Sequence, residues 1–147
     1  MPTLTANDLM TAKVHTVSRR DSLAKAYDLI GDRKIRHLPV VDANGDLVGL
    51  LSQRDMLRHA LAGLTELPPS RIRDFLRDRR VEEVMVTGIE TAAPDEDIQS
   101  VAERIFENKF GCLPVVEGES VVGIITEADF VRYVAEGGLD EPNAGSW

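Results

Sequence analysis

The sequence contains one long pattern twice. Residues 38–55 read LPVVD, a turn, LVGLL and SQRD, and residues 113–129 read LPVVE, a turn, VVGII and TEAD. The prolines are 114 − 39 = 75 positions apart and the glycines 123 − 49 = 74, so the second turn is one residue shorter. A duplication of this length predicts two copies of one structural unit, and a site in one copy should have a related site in the other.

Each copy opens with an extended segment and a helix. Residues 14–17 and 89–92 predict the extended segments. Apolar residues then recur at i, i+3, i+4 and i+7, which predicts an amphipathic helix in both copies. These stripes are Leu23, Ala26, Tyr27 and Ile30 in the first copy, and Ile98, Val101, Ala102 and Ile105 in the second.

Two short apolar strands and a second helix complete each copy. Asn44–Gly45 predicts a two-residue hairpin, and Gly118–Glu119 takes the same place in the second copy. The final helix begins at Ser52 or Thr126. Its predicted buried residues are Met56, Leu57 and Ala60 in one copy and Phe130, Val131 and Val134 in the other. We therefore predict an α/β fold of two β-α-β-β-α repeats.

Composition limits the classes of partner. A formal net charge of −8 over 147 residues argues against nucleic acid, because phosphate backbones require a basic face. The single cysteine, Cys112, cannot form an internal disulfide, and we expect it to be a small core residue. No secretory signal is visible and no apolar run approaches the ~18 residues of a membrane span. The expected location is the cytoplasm, without membrane attachment.

The region between the copies, residues 63–82, predicts a linker helix. Ile72, Phe75 and Leu76 share one face, while several arginines point elsewhere. This composition favours a linker with a solvated basic side over a partner-binding helix. Residues 137–147 predict a frayed tail.

The tetrapeptides Ser52-x-x-Asp55 and Thr126-x-x-Asp129 are the strongest candidate site. Each follows a strand and opens a helix, where unpaired N–H groups and the helix dipole attract phosphate. A carboxylate one turn into the helix can accept hydrogen bonds from two vicinal ribose hydroxyls. The same pattern also forms a capping box, in which these side chains satisfy the amides of their own helix. Both alternatives stay open from the residues alone.

The ordered combination of LPVVD, a hairpin, GLLS-x-x-D and a helix, present twice, resembles the CBS domain in tandem, or Bateman module. The resemblance covers residues 8–62 and 83–136, leaving out the linker and the tail. It implies a regulatory module of two repeats packed about a pseudo-twofold axis, with two clefts between them. In many relatives these clefts bind AMP, ADP, ATP or S-adenosylmethionine, and two modules commonly associate into a dimer.

The resemblance also implies roles for individual residues. Asp55 and Asp129 would bind the ribose, and Ser52 and Thr126 the ribose or a phosphate. The opening segment of each copy would form a wall that meets the adenine, and its candidate residues are Thr11, Val14, His15 and Ile89. Plain core packing is the alternative role for Val14 and Ile89.

The two walls, Thr11–Val17 and Val86–Ala92, are expected to cross between the copies. The Thr126 tetrapeptide would face the first wall, and the Ser52 tetrapeptide the second. Thr11 corresponds to Val86, so the second wall lacks a hydroxyl that the first wall has, unless Thr87 replaces it.

The copies differ most in basic residues near the candidate site. Arg36, His37 and Arg54 of the first copy correspond to Gly111, Cys112 and Ala128 of the second. Because basic residues at the first two of these positions reach phosphates in relatives, one cleft should suit a phosphorylated nucleotide better. The spacing leaves open which cleft that is, and a solvated charge with a half-buried histidine is the alternative.

The resemblance therefore implies a regulatory, non-catalytic module that binds an adenosine nucleotide or S-adenosylmethionine, forms a homodimer and signals to an unidentified regulated protein. No obligatory cofactor and no metal site is expected, since the histidines lack metal-ligand spacing. The alternatives are a ligand-free dimerisation or interaction scaffold whose tetrapeptides act only as helix caps, and a small enzyme, against which the lack of a nucleophile–base pairing or a metal set argues.

Overall fold

The computed structural model describes residues 4–63, 71–108 and 111–138. The chain divides into two compact units. The central unit is His15–Ile89, and the terminal unit combines the residues up to Val14 with those from Glu90 onward. Part of the predicted linker, residues 64–70, and the predicted tail from residue 139 lie outside the described residues.

The central unit contains a three-stranded sheet and three helices. Its elements are β1 (Val17–Ser18), α2 (Leu23–Arg33), β2 (His37–Val41), β3 (Leu47–Ser52), α3 (Gln53–Gly63) and α4 (Ile72–Arg77), followed by a 3-10 turn at Val81–Glu83. The sheet order is β1-β2-β3, with β1 parallel and β3 antiparallel to β2. Its core is formed by buried residues on all of these elements: Val17, Leu23, Ala26, Ile30, Leu38, Val40, Leu51, Met56, Ala60, Leu76 and Val81.

The terminal unit repeats the strand pair and its flanking helices. Its elements are α1 (Ala6–Leu9), α5 (Ile98–Glu107), β4 (Cys112–Glu117), β5 (Ser120–Thr126) and α6 (Glu127–Ala135). β4 and β5 form an antiparallel pair. The buried core comprises Ala6, Ala92, Val101, Ile105, Leu113, Val115 and Ile125. The α/β class and the two repeats predicted from the sequence are confirmed.

Local polar groups fix where the first helix of each copy begins. The Ser22 hydroxyl accepts a hydrogen bond from the Lys25 amide at 3.2 Å, so Ser22 is the N-cap of α2. The Asp97 carboxylate accepts from the Gln99 amide at 3.1 Å at the start of α5. These caps place the apolar stripes of both helices against the strand pairs that lead to the candidate site.

Two sequence predictions are wrong in detail. The first hairpin is a five-residue loop between β2 and β3, because the Asp42 carboxylate accepts hydrogen bonds from the amides of Asn44 and Asp46. The opening segments are less regular than predicted: β1 contains only Val17–Ser18, and the second segment makes only a single bridge, at Ala92.

Helix α4 packs against α2 and α3 of the central unit. Leu76 is fully buried, and the Arg73 guanidinium contacts the Asp28 carboxylate of α2 at 2.8 Å. This hydrogen bond lowers the pKa of Asp28 below its usual value. Arg79 lies over the Phe75 ring, 4.8 Å from its centroid. The face pattern predicted for the linker is present, and part of its basic side is used in these contacts.

The last helix of the terminal unit differs from the prediction. Val131 and Val134 are 68% and 52% exposed, whereas Ala60, the counterpart of Val134, is fully buried in the core that α4 covers. Among the described residues of the terminal unit, no helix ahead of α1 corresponds to α4. The predicted helix is present, but none of the described residues buries Val131 and Val134.

Candidate functional site

In the central unit, β3 runs directly into α3 at the first tetrapeptide. Ser52 ends the strand, and its hydroxyl accepts a hydrogen bond from the Asp55 amide at 3.0 Å. The Asp55 side chain is 27% exposed, and its nearest cation is the Arg58 guanidinium at 3.8 Å. Within the described part of the chain, no hydrogen bond to the Asp55 carboxylate is found. The Ser52 side chain therefore acts as a cap, while the Asp55 carboxylate keeps its accepting capacity.

In the terminal unit, the second tetrapeptide forms a capping box at the start of α6. The Thr126 amide donates to Oδ2 of Asp129 at 2.8 Å. Oδ1 of Asp129 accepts from the Thr11 hydroxyl at 3.1 Å and lies 2.8 Å from a guanidinium nitrogen of Arg132. Asp129 is 2% exposed, so this carboxylate is both buried and surrounded by donors.

Each predicted wall begins beside the strand that leads to one tetrapeptide. Thr11 exchanges both backbone hydrogen bonds with Ile124 on β5, at 2.9 and 3.1 Å. Val86 exchanges both with Leu50 on β3, at 2.9 Å each. The sequence prediction paired the first wall with the Thr126 tetrapeptide and the second with the Ser52 tetrapeptide, and the backbone has this pairing.

The remaining wall residues are half-buried. Val14 belongs to the terminal unit and His15 to the central unit, while Ile89 is the last residue of the central unit. Arg104 of α5 anchors the end of the second wall, because its guanidinium donates to the Thr91 carbonyl and to the Glu96 carboxylate, each at 2.7 Å. Adenine contact at Val14, His15 and Ile89 stays a prediction.

The basic residues of the first copy lie at the start of α3. The Gln53 amide donates to the Arg36 carbonyl at 2.8 Å, and His37 pairs with Ser52 across the β2–β3 ladder. The side chains of Arg36 and Arg54 are exposed, and His37 is half-buried. The fold thus brings the backbone of Arg54 close to that of the adjacent residues Arg36 and His37, which lie well before it in the sequence.

At the start of α6, uncharged residues take the corresponding positions. The Glu127 amide donates to the Gly111 carbonyl at 3.2 Å, and Cys112 pairs with Thr126. Cys112 is buried, as expected, and burial raises the pKa of its thiol to about 12. The two helix starts therefore share a backbone arrangement and differ in charge.

Two arginines that approach the carboxylates were not among the site residues predicted from the sequence. Arg58 and Arg132 each lie three residues after the aspartate of their copy, and 132 − 58 = 74 is the repeat offset. Arg132 also donates to the Leu9 carbonyl at 3.3 Å, which joins α6 to α1. Recurrence at the repeat offset was the signal that could have identified both residues.

No group of three or more histidine, cysteine or acidic side chains in residues 4–63, 71–108 and 111–138 could hold a metal ion. No helix among these residues combines the length and the apolar character needed to cross a membrane.

Comparison with known families supports the duplicated architecture. The CBS domain profile matches residues 6–62 and 81–136. The AcuB protein of Vibrio cholerae is 35% identical, with a TM-score of 0.81, over 95% of this chain and 97% of that one. CBSX2, a CBS-pair protein of Arabidopsis thaliana, has been solved in complex with AMP. That complex is 26% identical, with a TM-score of 0.75, over 90% of this chain and 97% of CBSX2.

Further similarity extends to another ligand complex and to longer proteins. The CBS domain pair of MJ0100, in complex with 5′-methylthioadenosine and S-adenosyl-L-methionine, is 26% identical, with a TM-score of 0.73, over 92% of this chain and 98% of that one. The homoserine O-acetyltransferase of Methanococcoides burtonii is 32% identical over 86% of this chain, but over only 23% of its own length. The first curated relatives are thus much longer, and this chain spans between 14% and 31% of the first four.

Proposed function

This chain belongs to the CBS domain family, and from that premise we propose that it is a regulatory module that binds an adenosine-containing ligand: AMP, ADP, ATP or S-adenosylmethionine. The observation that carries the proposal is the Asp55 carboxylate, which lies one turn into α3, part-exposed and without a hydrogen-bond donor among the described residues. A carboxylate in this state can accept hydrogen bonds from the two vicinal hydroxyls of a ribose. The AMP complex of CBSX2 and the S-adenosylmethionine complex of MJ0100 support this ligand class.

We assign the phosphate end of a nucleotide to the start of α3. Arg36 and Arg54 present exposed guanidinium groups there, and His37 lies opposite Ser52. Guanidinium groups bind phosphate oxygens through charge-assisted hydrogen bonds, and the helix dipole adds to the attraction. The start of α6 has no basic residue at the corresponding positions, so we expect a phosphorylated ligand to prefer the Arg36 side.

Ligand binding would change the conformation of this module, and the module would not catalyse a reaction of the ligand. We propose that the ligand shifts the population of module conformations, and that a regulated protein or attached domain responds to the shift. The much longer relatives that share this segment, among them homoserine O-acetyltransferases, are consistent with a module that accompanies an activity located elsewhere.

Calorimetric titration tests the proposal directly. Protein freed of co-purified nucleotide by unfolding and refolding should be titrated separately with AMP, ADP, ATP and S-adenosylmethionine, and adenosine added to separate the phosphate contribution. We expect saturable binding of at least one of the four. Absence of heat and of thermal stabilisation with all four would reject the adenosine-binding function for this chain.

We propose that a second copy of the chain covers the exposed apolar part of α6, giving a homodimer. Val131 and Val134 are 68% and 52% exposed. In the central unit, α4 packs on the equivalent helix α3, whose Ala60 is fully buried, so this kind of surface accepts an apolar helical cover. Exposed apolar groups of this kind mark interaction sites, and a twofold axis would let the same surface serve both partners.

The second candidate function is a ligand-free interaction scaffold, and one observation favours it. The Asp129 carboxylate accepts the Thr126 amide, which is the helix-cap role considered for both tetrapeptides. If Asp55 had the same role, its replacement by alanine would lower the melting temperature and no nucleotide would raise it. Binding of a nucleotide that depends on Asp55 would exclude the scaffold as the sole function.

A further inference from the structure

The two aspartates of the repeated tetrapeptides are not equivalent. Asp129 receives the Thr126 amide on Oδ2, and the Thr11 hydroxyl and the Arg132 guanidinium on Oδ1. Among the described residues, Arg58 is the one cation within ion-pair distance of the Asp55 carboxylate, at 3.8 Å, and the Asp55 side chain is 27% exposed against 3% for Asp129. Asp55 and Asp129 have the same position in the repeat, but the Asp55 carboxylate can accept hydrogen bonds from a ligand and the Asp129 carboxylate is already occupied by protein donors.

One substitution between the copies accounts for the hydroxyl contact. Thr11 and Val86 occupy equivalent places, because each exchanges two backbone hydrogen bonds with the residue two positions ahead of its tetrapeptide. Thr11 carries a hydroxyl that donates to Asp129 at 3.1 Å. Val86 cannot donate, so the equivalent contact to Asp55 does not exist.

The accepting capacity of each carboxylate follows from these contacts. A carboxylate offers about four lone-pair positions on two oxygens, and a vicinal diol needs two of them on an accessible edge. The three donors around Asp129 already engage both of its oxygens, and the residue is buried. At Asp55 both oxygens can turn toward a ligand.

We propose that the chain binds one ribose, at Asp55, and that Thr11 is the specificity-determining residue that closes the Asp129 position to a diol. This inference rests on the proposed adenosine-binding function and refines it by assigning the stoichiometry and the residue that sets it. Thr11 acts through Asp129 and is a positioning residue in the repeat that does not bind.

Calorimetric titration with AMP, using a pair of reciprocal exchanges, tests the inference. Wild type should bind one AMP per chain. Val86→Thr supplies a competing donor and should weaken this binding by about tenfold or more. Thr11→Val removes the donor from Asp129 and should add a second, weaker AMP per chain. Thr11→Ser keeps a hydroxyl and should restore a stoichiometry of one.

Replacement of each carboxylate completes the design. Asp55→Asn should weaken AMP binding by about tenfold or more without a large change in melting temperature. Asp129→Asn should lower the melting temperature, because it disturbs a cap, and leave the AMP stoichiometry at one. Circular dichroism identifies any variant that fails to fold. If an aspartate variant does not fold, the AMP stoichiometries of the Thr11 and Val86 variants test the inference.

The outcomes separate this inference from the function on which it rests. Two equal AMP sites in wild type, or loss of AMP binding through Asp129→Asn but not through Asp55→Asn, would overturn the inference and leave the adenosine-binding function standing. No binding of AMP, ADP, ATP or S-adenosylmethionine to wild type would overturn both.

Discussion

Met85 covers Gly49 so closely that a Cβ atom on the glycine would lie 2.7 Å from the Met85 Sδ atom and 3.1 Å from the Val86 carbonyl oxygen. The terminal unit has the same relationship between Met10 and Gly123. These glycines let the wall segments approach the strands and form the backbone pairs of Val86 and Thr11. The recurrence of a glycine at this position in both copies therefore has a packing reason.

Gly49→Ala should destabilise the protein by about 1–3 kcal/mol, because the added methyl group overpacks the strand against the second wall. The Met85 thioether can move, but the Val86 carbonyl is held by its bond to Leu50. Urea denaturation monitored by circular dichroism measures the change. Gly31→Ala is the matched control: nothing lies within 4 Å of the added Cβ atom, and the residue is inside α2. The control should be neutral or stabilising by up to about 1 kcal/mol, and equal losses for both variants would contradict the packing argument.

Arg36→Ala and Arg54→Ala should each weaken AMP binding by about tenfold and leave adenosine binding nearly unchanged, since only AMP carries the phosphate. The ratio of the AMP and adenosine dissociation constants, measured by calorimetry at one salt concentration, isolates this contribution. Arg71→Ala, an exposed arginine ahead of α4, is the control and should leave the ratio unchanged. A proportional loss of adenosine and AMP binding would place Arg36 and Arg54 outside a phosphate site.

Most of the fold could be predicted because the apolar periodicity of helices and the short apolar runs of strands are local properties of the sequence. The duplication shows each of these patterns in both copies, in the same order. The backbone pairs of Thr11 with Ile124 and of Val86 with Leu50 agree with the wall assignment that the CBS resemblance implies. The availability of the carboxylates could not be predicted. Asp55 and Asp129 have the same local sequence context, and the hydroxyl contact that distinguishes them comes from Thr11, which is distant from Asp129 in sequence and has Val86 as its counterpart.

Burial on α6 shows the same limit. Val134 has the periodicity of a core residue, but its exposure depends on whether a separate helix covers it, as α4 does for the central unit. The two-residue hairpin predicted from Asn44–Gly45 was wrong for a related reason. The Asp42 carboxylate accepts hydrogen bonds from two backbone amides, and these bonds favour the five-residue loop over the turn that the Asn-Gly pair predicts.

Cys112 should be unreactive in the folded protein at pH 8, because burial raises the pKa of its thiol from 9.0 to about 12. The unfolded thiol ionises first, so the stability that burial of the neutral thiol contributes is complete below about pH 9 and is lost as the pH rises toward 12. Ellman's reagent should detect no thiol in native protein and one per chain in urea. Between pH 9 and 12, wild type should lose stability more steeply than Cys112→Ala, by at most about 1.4 kcal/mol per pH unit. Rapid labelling of the native thiol would contradict the burial.

Val134→Lys should raise the dimer dissociation constant by about tenfold or more, because it places a charge in the apolar surface that we assign to the second copy. Sedimentation velocity over a range of protein concentrations measures the constant. Ala135→Lys adds the same charge to the neighbouring exposed position of α6, which points about 100° around the helix, and should leave the constant nearly unchanged. Because both side chains are exposed in the single chain, neither variant should alter the melting temperature of the monomer appreciably. A wild-type chain that sediments as a monomer at every concentration, or equal effects of the two lysines, would remove α6 from the dimer interface.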